Sequence, residues 1–164
     1  MAESVQGIDA VIARLDGFTN PQRMRQAVTT ATLLVERQAK INAQAISEGD
    51  GTLAGSIASR IDDYSGEVYT PLFYAPYVEF GTGIEAEGGK GRQDVPWVYV
   101  KHSGTEGGAQ RSYTPEEAAQ TVAYLRAKGL DAYMTYGQKP QPFMRPALDD
   151  NRDKITEILK DGLL

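Results

Sequence analysis

The feature that most constrains the fold is one long helical pattern bounded by residues that break helices. Asn20-Pro21 opens it, because asparagine caps the free amides of a helix and proline suits the first helical position. Gly49-Asp50-Gly51 follows its end, which is expected near Ser47. The helix is then roughly 40 Å long, which is long for a chain of 164 residues. We therefore expect part of it to pack on something outside the chain.

Apolar and small residues recur every three or four positions along this stretch, as they do on one buried face of a helix. A shorter helix from Ile8 to Leu15, ended by Gly17, is expected before it. Residues 1–48 are thus predicted to form the N-terminal helices. The predicted buried face of the long helix consists of Met24, Val28, Ala31, Leu34 or Val35, Gln38, Ile41 and Ala45.

Short strands are predicted for the middle of the chain. Residues 56–62 alternate apolar and polar side chains, Tyr64-Ser65-Gly66 is a turn signal, and residues 67–70 return as a second strand. This pattern predicts a β-hairpin. Residues 96–100 and 132–136 are expected to form two further strands.

Two helices are predicted in the second half of the chain. Residues 114–117 have the capping-box pattern, in which Thr114 and Glu117 satisfy each other's backbone amides. That helix is expected to run to Lys128 and to end at Gly129. A last helix begins at Pro146. Its first turns are expected to hold carboxylates that complement the helix dipole, namely Asp149, Asp150 and Asp153.

These elements predict an α+β fold, because helices flank a block of antiparallel strands and do not alternate with each strand. We expect a small antiparallel sheet packed by the long N-terminal helix and a C-terminal helix, with an inserted strand-helix-strand segment. One domain over residues 1–164 is predicted, with the hairpin and an aromatic turn at 52–83, a loop-rich insert at 84–138 and the C-terminal helix at 139–164.

Composition excludes several kinds of site. The net charge of -5 argues against a general nucleic-acid binder. The chain has no cysteine and a single histidine, His102, so disulfides and ordinary zinc sites are excluded. No signal peptide and no membrane-spanning apolar run is found in the sequence. We expect no metal, no cofactor and no membrane partner.

Glycine-rich loops and His102 are the candidates for chemistry. Residues 81–86 fit a loose G-x-G-x-x-A pattern, but acidic residues and further glycines follow where a phosphate-binding loop needs a helix. His102 lies between Lys101 and Ser103-Gly104, in a segment with no apolar residue to fix the orientation that a catalytic imidazole needs. A small hydrolase or nucleotide-binding protein that uses His102 and these loops is nevertheless kept as the alternative to a structural role.

The stretch YAPYVEFGTG, residues 74–83, is the most distinctive in the chain. Pro76 is expected to start a short helical turn and Gly81 to end it. Phe80 is expected to be buried, so that its truncation would destabilise the domain by about 3 kcal/mol or more. Glu79 is interpreted either as a structural hydrogen-bond acceptor or as part of a salt bridge between subunits. Most aromatic residues of the chain are expected to fill the core, and tyrosine and tryptophan are also favoured at protein interfaces.

Four blocks between residues 51 and 148 carry a family resemblance. They are Gly51-Thr52-Leu53 with Ser56-Ile57, then Gly66-Glu67-Val68, then residues 74–83, and finally Gln141-Pro142-Phe143 with Arg145-Pro146-Ala147-Leu148. In this order the blocks resemble the gene-ten-like neck and tail-completion family of long-tailed bacteriophages, which is related to the lambda tail-completion protein Z. The segment from about Ile84 to Gln138 is longer than in compact members of that family.

The resemblance implies a structural protein of the virion and not an enzyme. Such proteins form a ring, a hexamer or a dodecamer, at the head–tail junction and help to join the DNA-filled capsid to the tail. The implied partners are copies of the chain itself, head–tail connector proteins and tail tube proteins. Genome DNA would pass through the channel without specific binding. The expected location is the tail or neck of a virion assembled in the host cytoplasm, and a monomeric adaptor remains a further alternative.

A ring of this kind needs a head-to-tail interface on every subunit. Glu85 and Glu87 are candidates to face the channel, where their charge would repel DNA phosphates. The candidates for the subunit interface or for a structural motif are Tyr74, Tyr77, Glu79, Phe80, Trp97, Phe143 and Arg145.

Overall fold

The structure is a computed structural model, and it describes residues 20–46, 51–93, 96–100 and 113–163. Within these ranges the fold is α+β, as predicted, with one long N-terminal helix and small antiparallel sheets. The expected helix at residues 8–15 and the loop that holds His102 lie outside the described residues.

The described elements follow the predicted order, with two short helices and two two-residue strands that the sequence did not indicate. In chain order they are α1 (Pro21–Ile46), α2 (Thr52–Ser56), β1 (Ala58–Ile61), β2 (Gly66–Tyr69), α3 (Ala75–Phe80), β3 (Thr82–Gly83), a 3-10 helix (Glu87–Gly89), β4 (Trp97–Val100), α4 (Pro115–Ala127), β5 (Ala132–Thr135), β6 (Gly137–Gln138), α5 (Met144–Asp149) and α6 (Arg152–Leu163).

The chain divides into two compact units. The first comprises residues 1–72 and 143–164, and the second comprises residues 73–142. The second unit therefore holds both the aromatic turn and the predicted insert. The expectation of one domain over residues 1–164 stays a prediction.

The first unit is organised around α1, whose N-terminus is capped as predicted. The side-chain oxygen of Asn20 accepts hydrogen bonds from the backbone amides of Gln22 at 3.0 Å and Arg23 at 3.4 Å. These bonds satisfy amides that the first turn of a helix leaves without partners. Helix α1 runs to Ile46, one residue before the predicted end.

The predicted buried face of α1 is wrong in its second half. Ala39 and Ala43 are buried there, whereas Ile41 is 45% exposed and Ala45 is exposed as well. From Val28, steps of three or four residues lead to positions 32, 35, 39 and 43. The buried face therefore follows helical geometry through small residues, which give a weaker hydrophobic signal than isoleucine.

The predicted hairpin is confirmed and packs closely on α1. Strands β1 and β2 pair antiparallel, with Ile61 opposite Gly66, and the backbone amide of Asp62 donates to the carbonyl of Ser65 at 2.8 Å across the turn. A Cβ atom on Gly66 would lie 1.7 Å from the hydroxyl oxygen of Thr32. Strand β2 can approach α1 this closely only because residue 66 has no side chain.

The C-terminal helix is divided, in contrast to the single helix predicted from Pro146. Helix α5 ends at Asp149 and α6 begins at Arg152. Asp149 therefore lies at a helix end, where its carboxylate accepts a hydrogen bond from Arg152 at 2.8 Å, and only Asp153 occupies a first turn. Helix α6 packs on α1, because a Cβ atom on Gly162 would lie 2.3 Å from the Cβ atom of Ala27.

The second unit contains two small antiparallel sheets, β3 with β6 and β4 with β5. Helix α4 has the predicted capping box, in which the Thr114 hydroxyl accepts from the Glu117 amide at 3.2 Å and the Glu117 carboxylate accepts from the Thr114 amide at 2.9 Å. Gly129 follows with a φ of 80°, as predicted for a helix end. The core between α4 and β4 consists of Val98, Ala118 and Val122, with Tyr113 and Leu125 packed against it.

Candidate functional site

The YAPYVEFGTG stretch forms the short helix α3, as the positions of its proline and glycine predicted. The backbone amides of Tyr77 and Val78 donate to the carbonyl of Tyr74 at 3.0 and 3.2 Å. Pro76 lies in the first turn, and Gly81 ends the helix with a φ of 75°. A left-handed φ of this kind is tolerated best by glycine.

Helix α3 buries its carboxylate and exposes its aromatic rings. Glu79 is 5% exposed and shares the buried side with Ala75, one helical turn away. Tyr77 is 55% exposed and Phe80 is 47% exposed. The prediction that Phe80 is a buried core residue is therefore wrong for the single chain.

The burial of Glu79 bears on its role. A carboxylate is costly to bury unless it is hydrogen-bonded. Within the described parts of the chain, no buried side-chain nitrogen or oxygen lacks a hydrogen-bond partner. Because Glu79 is already covered in one copy of the chain, we favour the interpretation as a structural acceptor over a salt bridge to another subunit.

The exposed side of α3 borders a groove of about 950 Å³, which lies wholly within the second unit. Tyr77 and Phe80 line it from α3, and Trp97 lines it from β4. We call this surface the aromatic groove. It brings together four of the predicted site residues, since Glu87 also lines it. The other lining residues are Gly81, Thr82, Gly83, Ala86, Gly88, Lys90, Gly91 and Arg92.

The charges around the aromatic groove are mostly positive. The guanidinium of Arg92 lies 5.6 Å from the centroid of the Trp97 ring, within the range of a cation–π interaction. Lys90 is an exposed lining residue, and Glu87 is the single lining carboxylate. The groove therefore has two cations against one anion, although the whole chain carries a net charge of -5.

The glycines around the groove allow close backbone packing. A Cβ atom on Gly83 would lie 2.0 Å from the carbonyl oxygen of Tyr136, and one on Gly91 would lie 2.1 Å from the carbonyl oxygen of Gly83. The segment after the G-x-G-x-x-A pattern is a three-residue 3-10 helix, Glu87–Gly89, and not the α-helix that a phosphate-binding loop requires. Chain packing explains these glycines without a nucleotide.

The remaining predicted site residues lie apart from the groove lining. Tyr74 packs edge-to-face on Phe73, with ring centroids 5.5 Å apart. Glu85 is exposed but does not line the groove. In the first unit, Phe143 is 1% exposed, and its carbonyl accepts a hydrogen bond from the side-chain amide of Asn42 at 3.0 Å. Phe143 is therefore a core residue of that unit.

Arg145 lines a different groove, which lies wholly within the first unit. It has a volume of about 580 Å³ and is mainly apolar, with contributions from α1, β2 and the C-terminal helices. Tyr64, at the hairpin turn, also borders it. Sequence patterns do not indicate this surface, because its members are spread over three distant segments.

A second aromatic surface was also missed by the sequence reasoning. Tyr99 of β4 and Tyr133 of β5 are paired across the sheet and stack with ring centroids 5.6 Å apart. The guanidinium of Arg126 lies 5.3 Å from the Tyr133 centroid. A hydrogen bond to the carboxylate of Asp131 raises the pKa of the Tyr133 hydroxyl above its usual value. The alternation of Trp97 and Tyr99 with valines is the sequence signal that could have identified this face.

One charged cluster joins α1 to the hairpin. The Glu36 carboxylate accepts hydrogen bonds from the Lys40 ammonium and the Ser59 hydroxyl, each at 2.5 Å. The bond from Lys40 is the largest cause of a lowered Glu36 pKa, followed by the bond from Ser59. The cluster stabilises the contact between α1 and β1.

The alternative site around His102 lies outside the described residues. Among the residues that are described, no three His, Asp or Glu side chains are grouped so that they could hold a metal ion. The described helices also include none with the length and apolarity needed to cross a membrane.

Comparisons of the chain with protein-family models, with curated proteins and with solved structures find no significant match.

Proposed function

We propose that this protein is a structural component of the bacteriophage head–tail junction, a neck, tail-completion or tail-terminator protein. Copies of the chain would form a ring that helps to join the DNA-filled capsid to the tail. The proposal combines the resemblance of the four sequence blocks with one structural observation. That observation is the aromatic groove, in which the YAPYVEFGTG stretch presents its rings outward.

The outward rings support assembly better than chemistry. A single chain that leaves large aromatic side chains exposed around one concave surface is typical of a protein that buries them against another protein. Tyr77, Phe80 and Trp97 line the groove, and the first two rings are about half exposed in the single chain. The groove therefore supports a contact between proteins.

The charge of the chain is compatible with a DNA channel. A net charge of -5 per copy, repeated around a ring, would repel the phosphates of a passing genome. Glu85 and Glu87 are both exposed, as a position facing the channel requires. Glu85, which does not line the aromatic groove, is retained as the candidate for that surface, whereas Glu87 borders the groove.

The decisive experiment is the imaging of intact particles. Virions that carry a tagged copy of this chain would be examined by cryo-electron microscopy with a label for the tag. We expect a ring of label at the collar where the capsid meets the tail. The absence of the chain from the collar would overturn the proposal, and so would turnover of a small molecule by the purified protein.

A further inference from the structure

We infer that the tip of the β1–β2 hairpin of one copy occupies the aromatic groove of another copy. The inference rests on the proposed function in one respect, namely that the two copies are neighbours in a ring. Its two halves lie in different units of the chain, the tip in the first and the groove in the second.

The hairpin tip carries the most exposed large apolar side chain among the described residues. Tyr64 lies in the turn between β1 and β2 and is 72% exposed, although it borders the apolar groove of the first unit. A tyrosine is suited to such a position, because its ring can be buried against a partner while its hydroxyl keeps a hydrogen bond.

The same tip is acidic. Asp62 and Asp63 precede Tyr64, and both are exposed. The carboxylate of Asp62 accepts a hydrogen bond from the Ser65 hydroxyl at 3.2 Å, and that of Asp63 lies 3.6 Å from the guanidinium of Arg25. The pair with Arg25 is exposed on both sides, and such pairs contribute little free energy. The tip therefore presents negative charge together with an exposed ring.

The aromatic groove has the complementary character. Its rings would contact the ring of Tyr64, and its cations, Lys90 and Arg92, would face the two tip carboxylates. Glu87 is the one lining charge that opposes an acidic occupant. Complementary charges of this kind fix the register of a contact and speed the encounter. A volume of about 950 Å³ also leaves room for a turn of several residues.

A second copy is the occupant that these features favour, because every chain carries both the acidic aromatic tip and the basic aromatic groove. The contact joins two different surfaces and is therefore head-to-tail. Repetition of a head-to-tail contact closes a ring when the rotation between neighbours allows it.

Disulfide cross-linking tests the contact directly, because the chain has no cysteine of its own. One preparation would carry Ser65→Cys at the tip, and the other Ala86→Cys in the groove, both of them small changes. The matched control replaces the second by Ala123→Cys, an exposed alanine on α4 that does not line the groove. Equal amounts of the two preparations would be mixed under mild oxidation, and the mixed disulfide measured by mass spectrometry.

We expect the mixed disulfide of Ser65→Cys with Ala86→Cys to exceed the control pair by about tenfold, because docking raises the effective concentration of the two thiols. Addition of Lys90→Glu and Arg92→Glu to the groove copy should reduce the yield to that of the control. Addition of Asp62→Lys and Asp63→Lys to the tip copy should then restore it, which also shows that the reversed groove is folded.

Two results would overturn the inference. One is a yield of the mixed disulfide no higher than that of the control pair. The other is a yield that does not respond to charge reversal in the groove. Neither result would contradict the proposed function, which fails only if the chain is absent from the collar or acts on a small molecule.

Discussion

Glu79 and Phe80 are neighbours in the chain and lie about 100° apart around α3, with 5% of the glutamate and 47% of the phenylalanine exposed. The polar residue is thus inside and the apolar residue outside. Substitution of either residue should therefore change the free energy of unfolding differently from what its residue type suggests.

Phe80→Ala should lower the free energy of unfolding by only about 1 kcal/mol, because the ring is half exposed and leaves little cavity. Phe143→Ala is the matched control, since that ring is buried and its loss should cost about 3–5 kcal/mol. Urea unfolding followed by circular dichroism measures both. Equal losses for the two variants would place Phe80 in a core after all.

Glu79→Ala should lower the free energy of unfolding by about 1–3 kcal/mol, because the groups that contact the buried carboxylate lose their partner. Urea unfolding measures the loss, and cross-linking between copies measures assembly in the same samples. A variant of normal stability that no longer assembles would instead favour a salt bridge between subunits.

Gly66→Ala should destabilise the first unit by about 1–3 kcal/mol, because the new methyl group would clash with Thr32 and force β2 away from α1. Gly55→Ala is the control, since no atom lies within 4 Å of its added Cβ and its φ is not positive. Thermal unfolding of the two variants measures the difference. A similar melting temperature for both would show that the hairpin can move without cost.

Acidic pH should lower the stability of the first unit, because the Glu36 carboxylate becomes protonated. Its pKa is lower in the folded chain than the ordinary value of 4.5, so its contribution is fully present above that value. The contribution is lost as the pH falls below 4.5 and through the folded pKa. Urea unfolding at a series of acidic pH values should therefore show a smaller loss for Glu36→Gln than for the unchanged protein. Identical pH profiles would contradict a role for this carboxylate.

The sequence predicted the elements whose ends depend on local chemistry. Asn20 caps α1 and Thr114 caps α4 with side chains only two or three residues from their partners, so the pattern of letters is sufficient. The β1–β2 hairpin is local in the same sense. The exact residues of a turn or cap decide these features without help from the rest of the fold.

The sequence did not predict features that depend on distant segments. Ile41 is exposed because the surface that α1 packs against follows Ala39 and Ala43, which their own hydrophobicity would not select. The break between α5 and α6 has no glycine or proline to mark it. The buried face and the ends of these helices depend on the segments that pack against them, and the residue pattern along one helix does not contain that information.

The candidate site shows the same division. The helix α3 and its ends were predictable from Pro76 and Gly81, but the direction of each side chain was not. Its meeting with Trp97 depends on how α3 and β4 pack within the second unit. The sequence made Tyr77 and Phe80 candidates for a subunit interface but predicted that Phe80 is buried, and only the packing shows that both rings are exposed.

The tight backbone contacts at Gly83 and Gly91 have a consequence for how such a surface can change over evolution. No side chain larger than hydrogen fits at either position, so the framework beneath the rings tolerates almost no variation. Tyr77 and Phe80 are less restricted, because each is about half exposed to solvent. Substitutions at these exposed positions could therefore change which protein the surface binds. The backbone beneath them would stay the same, so binding to a new partner would not require a new fold.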